Sequence, residues 1–242
     1  MKPFLSFKKL NASSTNRTLL YVRLQVIIMS ELLTPKVILL LKTMAKDLGK
    51  WYYTRELAKL SNVGLGTVSS EFRKLAKDGL LEFKTEGQEK YYKLNLANPK
   101  TRKMCELFET EKREKFFKEN RRLAWILEDL TKKASDFVPE VQSVVLFGSM
   151  ARGEATQRSD IDVLVIVPDY DEQKFKQLMD SIDNLAREVS GIHPTRLAAV
   201  VMSMKDFEQG LRDKKRFAAD VLKDGIVLFG EGRYYQLLSK VI

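Results

Sequence analysis

Asp160-Ile161-Asp162 follows the pair Gly148-Ser149 after ten intervening residues, and each motif borders an apolar run, Val144–Phe147 before the first and Val163–Val167 after the second. Strand alternation puts Asp160 and Asp162 on one face and turns Ile161 to the other. Two carboxylates so placed can share one or two Mg²⁺ ions, which in turn bind phosphate oxygens. A strand that ends in Gly-Ser lets the backbone approach a polyphosphate closely, and the Ser149 hydroxyl can donate to a phosphate oxygen. Arg152 adds positive charge near the same place. The chemistry of this set is the capture of a metal-complexed polyphosphate, with Asp160 and Asp162 on the metal and Gly148, Ser149 and Arg152 on the phosphates.

Other chemistries are excluded by what the chain lacks. Cys105 is the only cysteine and His193 the only histidine among 242 residues. An internal disulfide, a cysteine-based zinc site, a histidine-dependent triad and a multi-histidine metal site are therefore ruled out, and the lone thiol fits a reducing cytoplasm. With 44% hydrophobic and 31% charged residues, the composition is that of an ordinary globular protein. The apolar run at 19–29 is interrupted by Arg23 and too short to span a bilayer, so no membrane partner is expected. Met29 opens a stretch that reads like a natural chain start, which makes residues 1–28 an upstream extension and 1–32 a poorly ordered one.

The elements that must position the carboxylates divide the chain in two by charge. The net charge is +10, and residues 1–100 hold 18 Lys+Arg against 8 Asp+Glu, whereas 141–242 hold 14 against 15. A basic first half joined to a near-neutral second half places a polyanion contact in the first. Thr34-Pro35 begins a helix that runs to about Lys46. Thr54 is placed to cap a short second helix carrying Leu57, Ala58 and Leu60. A turn at Ser61–Gly64 leads to a third helix over about Leu65–Lys77, with Val68, Phe72 and Leu75 inward and Gly79 as its left-handed stop. Leu81–Thr85 and Lys90–Leu94 then form a hairpin around Glu86-Gly87-Gln88.

Helix, helix, turn, helix, hairpin is the order of a winged helix-turn-helix domain, and the stretch TRELAKLSNVGLGTVSSEFRKLAKDGLLEFKTEGQEKYYKLN resembles that family, especially its archaeal transcription-regulator versions. The resemblance implies duplex DNA as a partner, with the third helix in the major groove. Its outward Thr67, Ser70, Arg73, Lys74 and Lys77 suit base edges and phosphates, and Lys84 and Lys90 of the wing would add phosphate contacts. Residues 101–135 are helical in composition. Their apolar stripe, Met104, Leu107 and Phe108, then Leu123, Ile126, Leu127 and Leu130, can pack on the N-terminal domain or on a second subunit of a homodimer.

The segment SVVLFGSMARGEATQRSDIDVLVIV resembles the nucleotidyltransferases of the DNA polymerase β superfamily, in particular their minimal branch, and the resemblance extends over about 140–232. It implies Mg²⁺ and an NTP, with ATP expected, and transfer of a nucleoside monophosphate to a hydroxyl on a protein or small molecule. It implies two alternatives besides: a regulator that only senses nucleotide, or an antitoxin-like partner of a small helical toxin. Active members bring a third carboxylate from the next strand. That strand is expected at Arg196–Met202 and contains no acid; Asp183 and Asp206 fall outside it, and His193 lies in the loop before it. Loss of general-base help is typically worth about 10²–10⁴-fold in rate. The expected fold is α+β in two domains: an extension (1–32), a winged helix-turn-helix domain (33–98), a helical connector (99–140) and a small α/β nucleotidyltransferase domain with a mixed sheet (141–242).

Overall fold

The computed structural model describes residues 33–136, 140–156, 159–192 and 195–242. The expected extension at 1–28, the chain start at Met29 and His193 lie outside these. Three helices come first, α1 (Pro35–Ala45), α2 (Thr54–Ser61) and α3 (Leu65–Lys77), followed by β2 (Leu81–Glu86) and β3 (Glu89–Leu94). Thr34 caps α1 through Val37 N–H with Pro35 in the first turn, and Gly79 takes φ +71° just past α3, as their residue types require. Thr54 departs from expectation. It is the first residue inside α2, and its hydroxyl donates to the Lys90 carbonyl instead of capping the helix. The reason is tertiary: the residues before it, Tyr52–Tyr53, form a short strand β1 that pairs with β3, giving a three-stranded sheet of order β1-β3-β2.

The connector is two helices, α4 (Pro99–Glu119) and α5 (Arg121–Asp136), with Asn120 leaving helical geometry between them. The C-terminal half then runs β4 (Ser143–Phe147), α6 (Gly148–Arg152), β5 (Ile161–Val167), α7 (Glu172–Ile192), β6 (Leu197–Ser203), α8 (Met204–Arg212), α9 (Arg216–Asp224), β7 (Ile226–Phe229) and α10 (Glu231–Leu238). Its sheet has order β6-β5-β4-β7 and is mixed: β5 and β6 are parallel, and the β4 pairings are antiparallel.

Alternation along β5 feeds two cores. Ile161, Val163, Val165 and Val167 face a cluster with Ile126, Leu127 and Leu130 of α5 and Leu178, Ile182 and Val189 of α7. Leu164 and Ile166 face the other side, where Phe207, Val221 and Tyr234 lie. That second cluster continues without a break through Met104 and Cys105 of α4 into Leu40, Leu57, Phe72 and Tyr92 of the first half. The apolar stripe of the connector is therefore satisfied within the chain: α4 joins the halves, and α5 covers one face of the C-terminal sheet. No helix among the described residues is long and apolar enough to cross a membrane.

α4 is held to β7 by polar contacts as well as packing. Glu109, 7% exposed, accepts from Val227 N–H at 2.8 Å and from the Tyr235 hydroxyl at 3.2 Å. Arg113 donates to the Val227 and Leu228 carbonyls and ion-pairs with Glu231, and Lys112 donates to the Gly225 carbonyl. These groups occupy the outer edge of β7, which no other strand covers. Glu109→Ala strands a buried N–H and a buried hydroxyl, so it should lower unfolding free energy by about 2–3 kcal/mol. Glu109→Gln retains an acceptor and should cost less than half of that. Urea denaturation of the two variants measures the difference, and equal losses would contradict this role.

Candidate functional site

The antiparallel register sets Phe147, the last residue of β4, opposite Asp162 of β5. The chain must turn away at once, and Gly148 does so at φ +72°. A Cβ at position 148 would collide with the Asp162 carboxylate, so only glycine allows both the turn and this close approach. Ser149 follows in the first turn of α6 and is partly exposed. Asp160 and Asp162 are both partly exposed, and Ile161 between them is fully buried. The expected one-face arrangement of the two acids is thus the arrangement found. Burial, and then the negative charge of Asp160, push the Asp162 carboxyl above the ordinary carboxylate range, while Arg152 pulls it down.

Arg152 acts on that carboxylate at a distance. Its guanidinium is on the surface and donates to Glu154 at 2.7 Å instead of pairing with either aspartate. The cation that does approach is Arg196, whose Nη1 lies 3.9 Å from Asp160 Oδ2. Sequence reasoning did not select Arg196, because only the parallel pairing of β6 with β5 brings it there. The same pairing sets Ala198 directly beside Asp162 and Val200 beside Leu164. Ala198 therefore occupies the position from which a third carboxylate would reach the pair. Among the described residues no group of three or more His, Cys, Asp or Glu could hold a metal ion.

An open cleft of about 810 Å³ lies at the start of α5, on the side of the sheet that Ile161 faces, lined by Thr156, Ser159 and Thr195 and by Arg121 and Arg122. The hydroxyl-bearing residues adjoin Asp160 and Arg196 in the chain. Asp160 and Asp162 suit a divalent cation: after burial, the charge of Asp160 is what raises the proton affinity of Asp162, and a cation would relieve that repulsion.

In the first half, Ser70, Arg73, Lys74 and Lys77 are exposed on α3 and Thr67 is partly so. Arg73, Lys77 and Lys90 make no ion pair among the described residues, whereas Lys74 pairs with Glu71 at 3.0 Å. Lys84 is tied to Glu86 at 2.6 Å and lies over the rings of Trp51 and Tyr91. It is therefore less available than Lys90.

Residues 123–220 match the family model described as a nucleotidyltransferase domain, a span that takes in α5, the Gly-Ser turn, both aspartates and β6. Two curated chains from Methanocaldococcus jannaschii, each named "Putative protein adenylyltransferase", are 40% identical over 48 and 65 residues; the matches cover 20% and 24% of this chain and 48% and 64% of theirs. A third chain of that name from the same organism is 45% identical over 49 residues, 19% of this chain and 55% of its own. The chain thus spans about half to two thirds of the length of the curated relatives it matches. A solved structure described as a toxin–antitoxin with AMP-PNP is 18% identical over 47% of this chain and 83% of its own, at a TM-score of 0.32. A mutant of the toxin–antitoxin MntA–HpeT, also 18% identical over the same shares, aligns at 0.31. Likeness at that level decides neither architecture nor partner.

The raised Asp162 carboxyl has a signed consequence. The folded state holds this proton more tightly than the unfolded one, so the group favours folding below the ordinary carboxylate pKa. That contribution is lost as pH rises through the raised value. Asp160→Asn removes the like charge and should move the Asp162 titration to lower pH. Carboxyl-carbon NMR of the two proteins reads the shift directly, and an unmoved Asp162 would show that the acids do not interact.

Proposed function

We propose that the chain is a DNA-binding nucleotidyltransferase that transfers a nucleoside monophosphate, AMP by preference, from a Mg²⁺-bound NTP to a hydroxyl of a partner protein. The observation that carries this reading is the positive-φ turn at Gly148, where a Cβ would collide with the Asp162 carboxylate, with Asp160 on the same face. The names of the curated relatives support adenylyl as the transferred group and protein as the acceptor. Asp160 and Asp162 would hold the metal. A divalent cation held there would supply charge that offsets the phosphates and opens the α-phosphorus to attack. Gly148 and Ser149 offer close backbone approach and a hydroxyl to the triphosphate, and Arg152 supplies charge at long range. The acceptor oxygen forms a bond to the α-phosphorus while the bond to the β-phosphate breaks and pyrophosphate leaves.

Ala198 favours a slower variant of the same reading. With no carboxylate beside Asp162, the proton of the incoming hydroxyl passes to solvent unaided, and transfer is slow enough for the domain to act as a nucleotide sensor. Incubating the protein with Mg²⁺, α-labelled ATP and a cell lysate should label one partner weakly. Asp160→Asn with Asp162→Asn should abolish the labelling. Ala198→Asp should raise its rate by about 10²-fold or more. Fast labelling by the unchanged protein, with no gain from Ala198→Asp, would overturn this account of the site.

The first half is proposed as a winged helix-turn-helix unit that binds duplex DNA. The support is its element order, its basic excess and the exposed Arg73, Lys77 and Lys90. Arg73→Ala with Lys77→Ala in the full chain should weaken duplex binding and reduce the salt slope by about 2, one unit for each phosphate no longer neutralised. Fluorescence anisotropy across a salt series checks this. Unchanged affinity and slope would make the unit a protein-interaction module.

A further inference from the structure

The seam between the halves holds a cavity that neither the aspartate pair nor the outer face of α3 uses. It has a volume of about 520 Å³ and lies among α1, α4, the α9–β7 junction and α10. Lysines reach it from three regions remote in sequence: Lys42 of α1 and Lys46 just past its end, Lys112 and Lys115 from α4, and Lys223 from α9. Only two acids line it, and both are engaged. Glu111 pairs with Lys42, and Glu109 accepts from Val227 N–H and the Tyr235 hydroxyl. Lys112 is turned to the Gly225 carbonyl, and Lys115 approaches Glu119 at 3.8 Å, a loose surface pair. Lys46 and Lys223 have no ion-pair or hydrogen-bond partner among the described residues.

Lysines spread over a convex surface repel one another little, because water lies between them. Here they converge on a concavity whose other walls include Ala45, Leu48 and Leu222. Five lysines against two acids leave an excess of positive charge, and a cleft with such an excess and partly apolar walls focuses its potential and concentrates counter-ions. Lys42 and Lys112 are used by the seam itself, whereas the exposed Lys46 and Lys223 have no such role.

We propose that this cavity is a second anion site, one that takes a compact polyphosphate chain, either free or carried by a nucleotide. Lys46 belongs to the first half and Lys223 to the second, so a bound chain bridges them and couples the two halves. The site is independent of whether the aspartate pair transfers a nucleotide.

The test uses the full chain carrying Asp160→Asn and Asp162→Asn, which disables the first site, in Mg²⁺-free equilibrium dialysis against tripolyphosphate and, separately, ATP. One bound molecule of tripolyphosphate per chain is expected. Adding Lys46→Gln and Lys223→Gln should weaken it about tenfold, whereas Lys59→Gln with Lys205→Gln, at exposed lysines outside the cavity, should leave it within about twofold. ATP binding equal to that of tripolyphosphate assigns recognition to the phosphate chain alone, and tighter binding adds a contribution from the nucleoside. Absence of binding by both ligands, or equal loss in the two lysine pairs, would overturn the proposal. Displacement of tripolyphosphate by duplex DNA would do the same, since the cavity would then belong to the DNA surface.

Discussion

The arrangement rests on a buried carboxylate. Glu109 sits in the middle of α4, 7% exposed, with one oxygen on the Val227 amide and the other on the Tyr235 hydroxyl. Burial pushes its carboxyl above the ordinary range, and Lys112, the two hydrogen bonds and Arg113 offset that cost. A charge in this position is tolerated only if its partners stay in place, so it pins α4 to β7 at one register. Through α4 the first half, whose Met104-to-Phe72 core is continuous with Phe207 and Tyr234, is pinned as well.

That seam bears on the aspartate site through the sheet. β7 pairs with β4, β4 with β5, and β4 ends at the Gly148 turn that touches Asp162. A shift of α4 on β7 would therefore be felt two strands away, at the Asp162 carboxylate. The seam also gathers the lysines of the interdomain cavity, so the contact that unites the halves also places charge from both of them on one concave surface.

The site itself is asymmetric. One side is rigid, built from a glycine turn, a buried isoleucine and two acids on a central strand. The opposite face, under α5, holds an open cleft edged by hydroxyls and by Arg121 and Arg122. Ala198 lies on the rigid side, at the one register position where a third acid would complete the pair. Binding is thus better provided for than proton removal.

Local chemistry was legible in the amino-acid sequence. The Gly-Ser turn, the paired aspartates flanking Ile161, the limits of α3 and the β2–β3 hairpin all follow from residue types at short spacing, because alternation, capping and positive φ are decided within a few residues. The absence of an acid on the strand after the aspartates was legible for the same reason. What only the tertiary structure decided is whatever depends on partners far apart in the chain. β1 exists because Tyr52–Tyr53 meets β3, and that pairing removed Thr54 from its expected cap. Arg196 approaches Asp160, and Arg152 turns to Glu154, because strand pairing and local packing place them so. Whether the connector's stripe met its own chain or a second one was equally open at the level of periodicity. A periodic apolar face states that burial is required, and only the assembled core states against what.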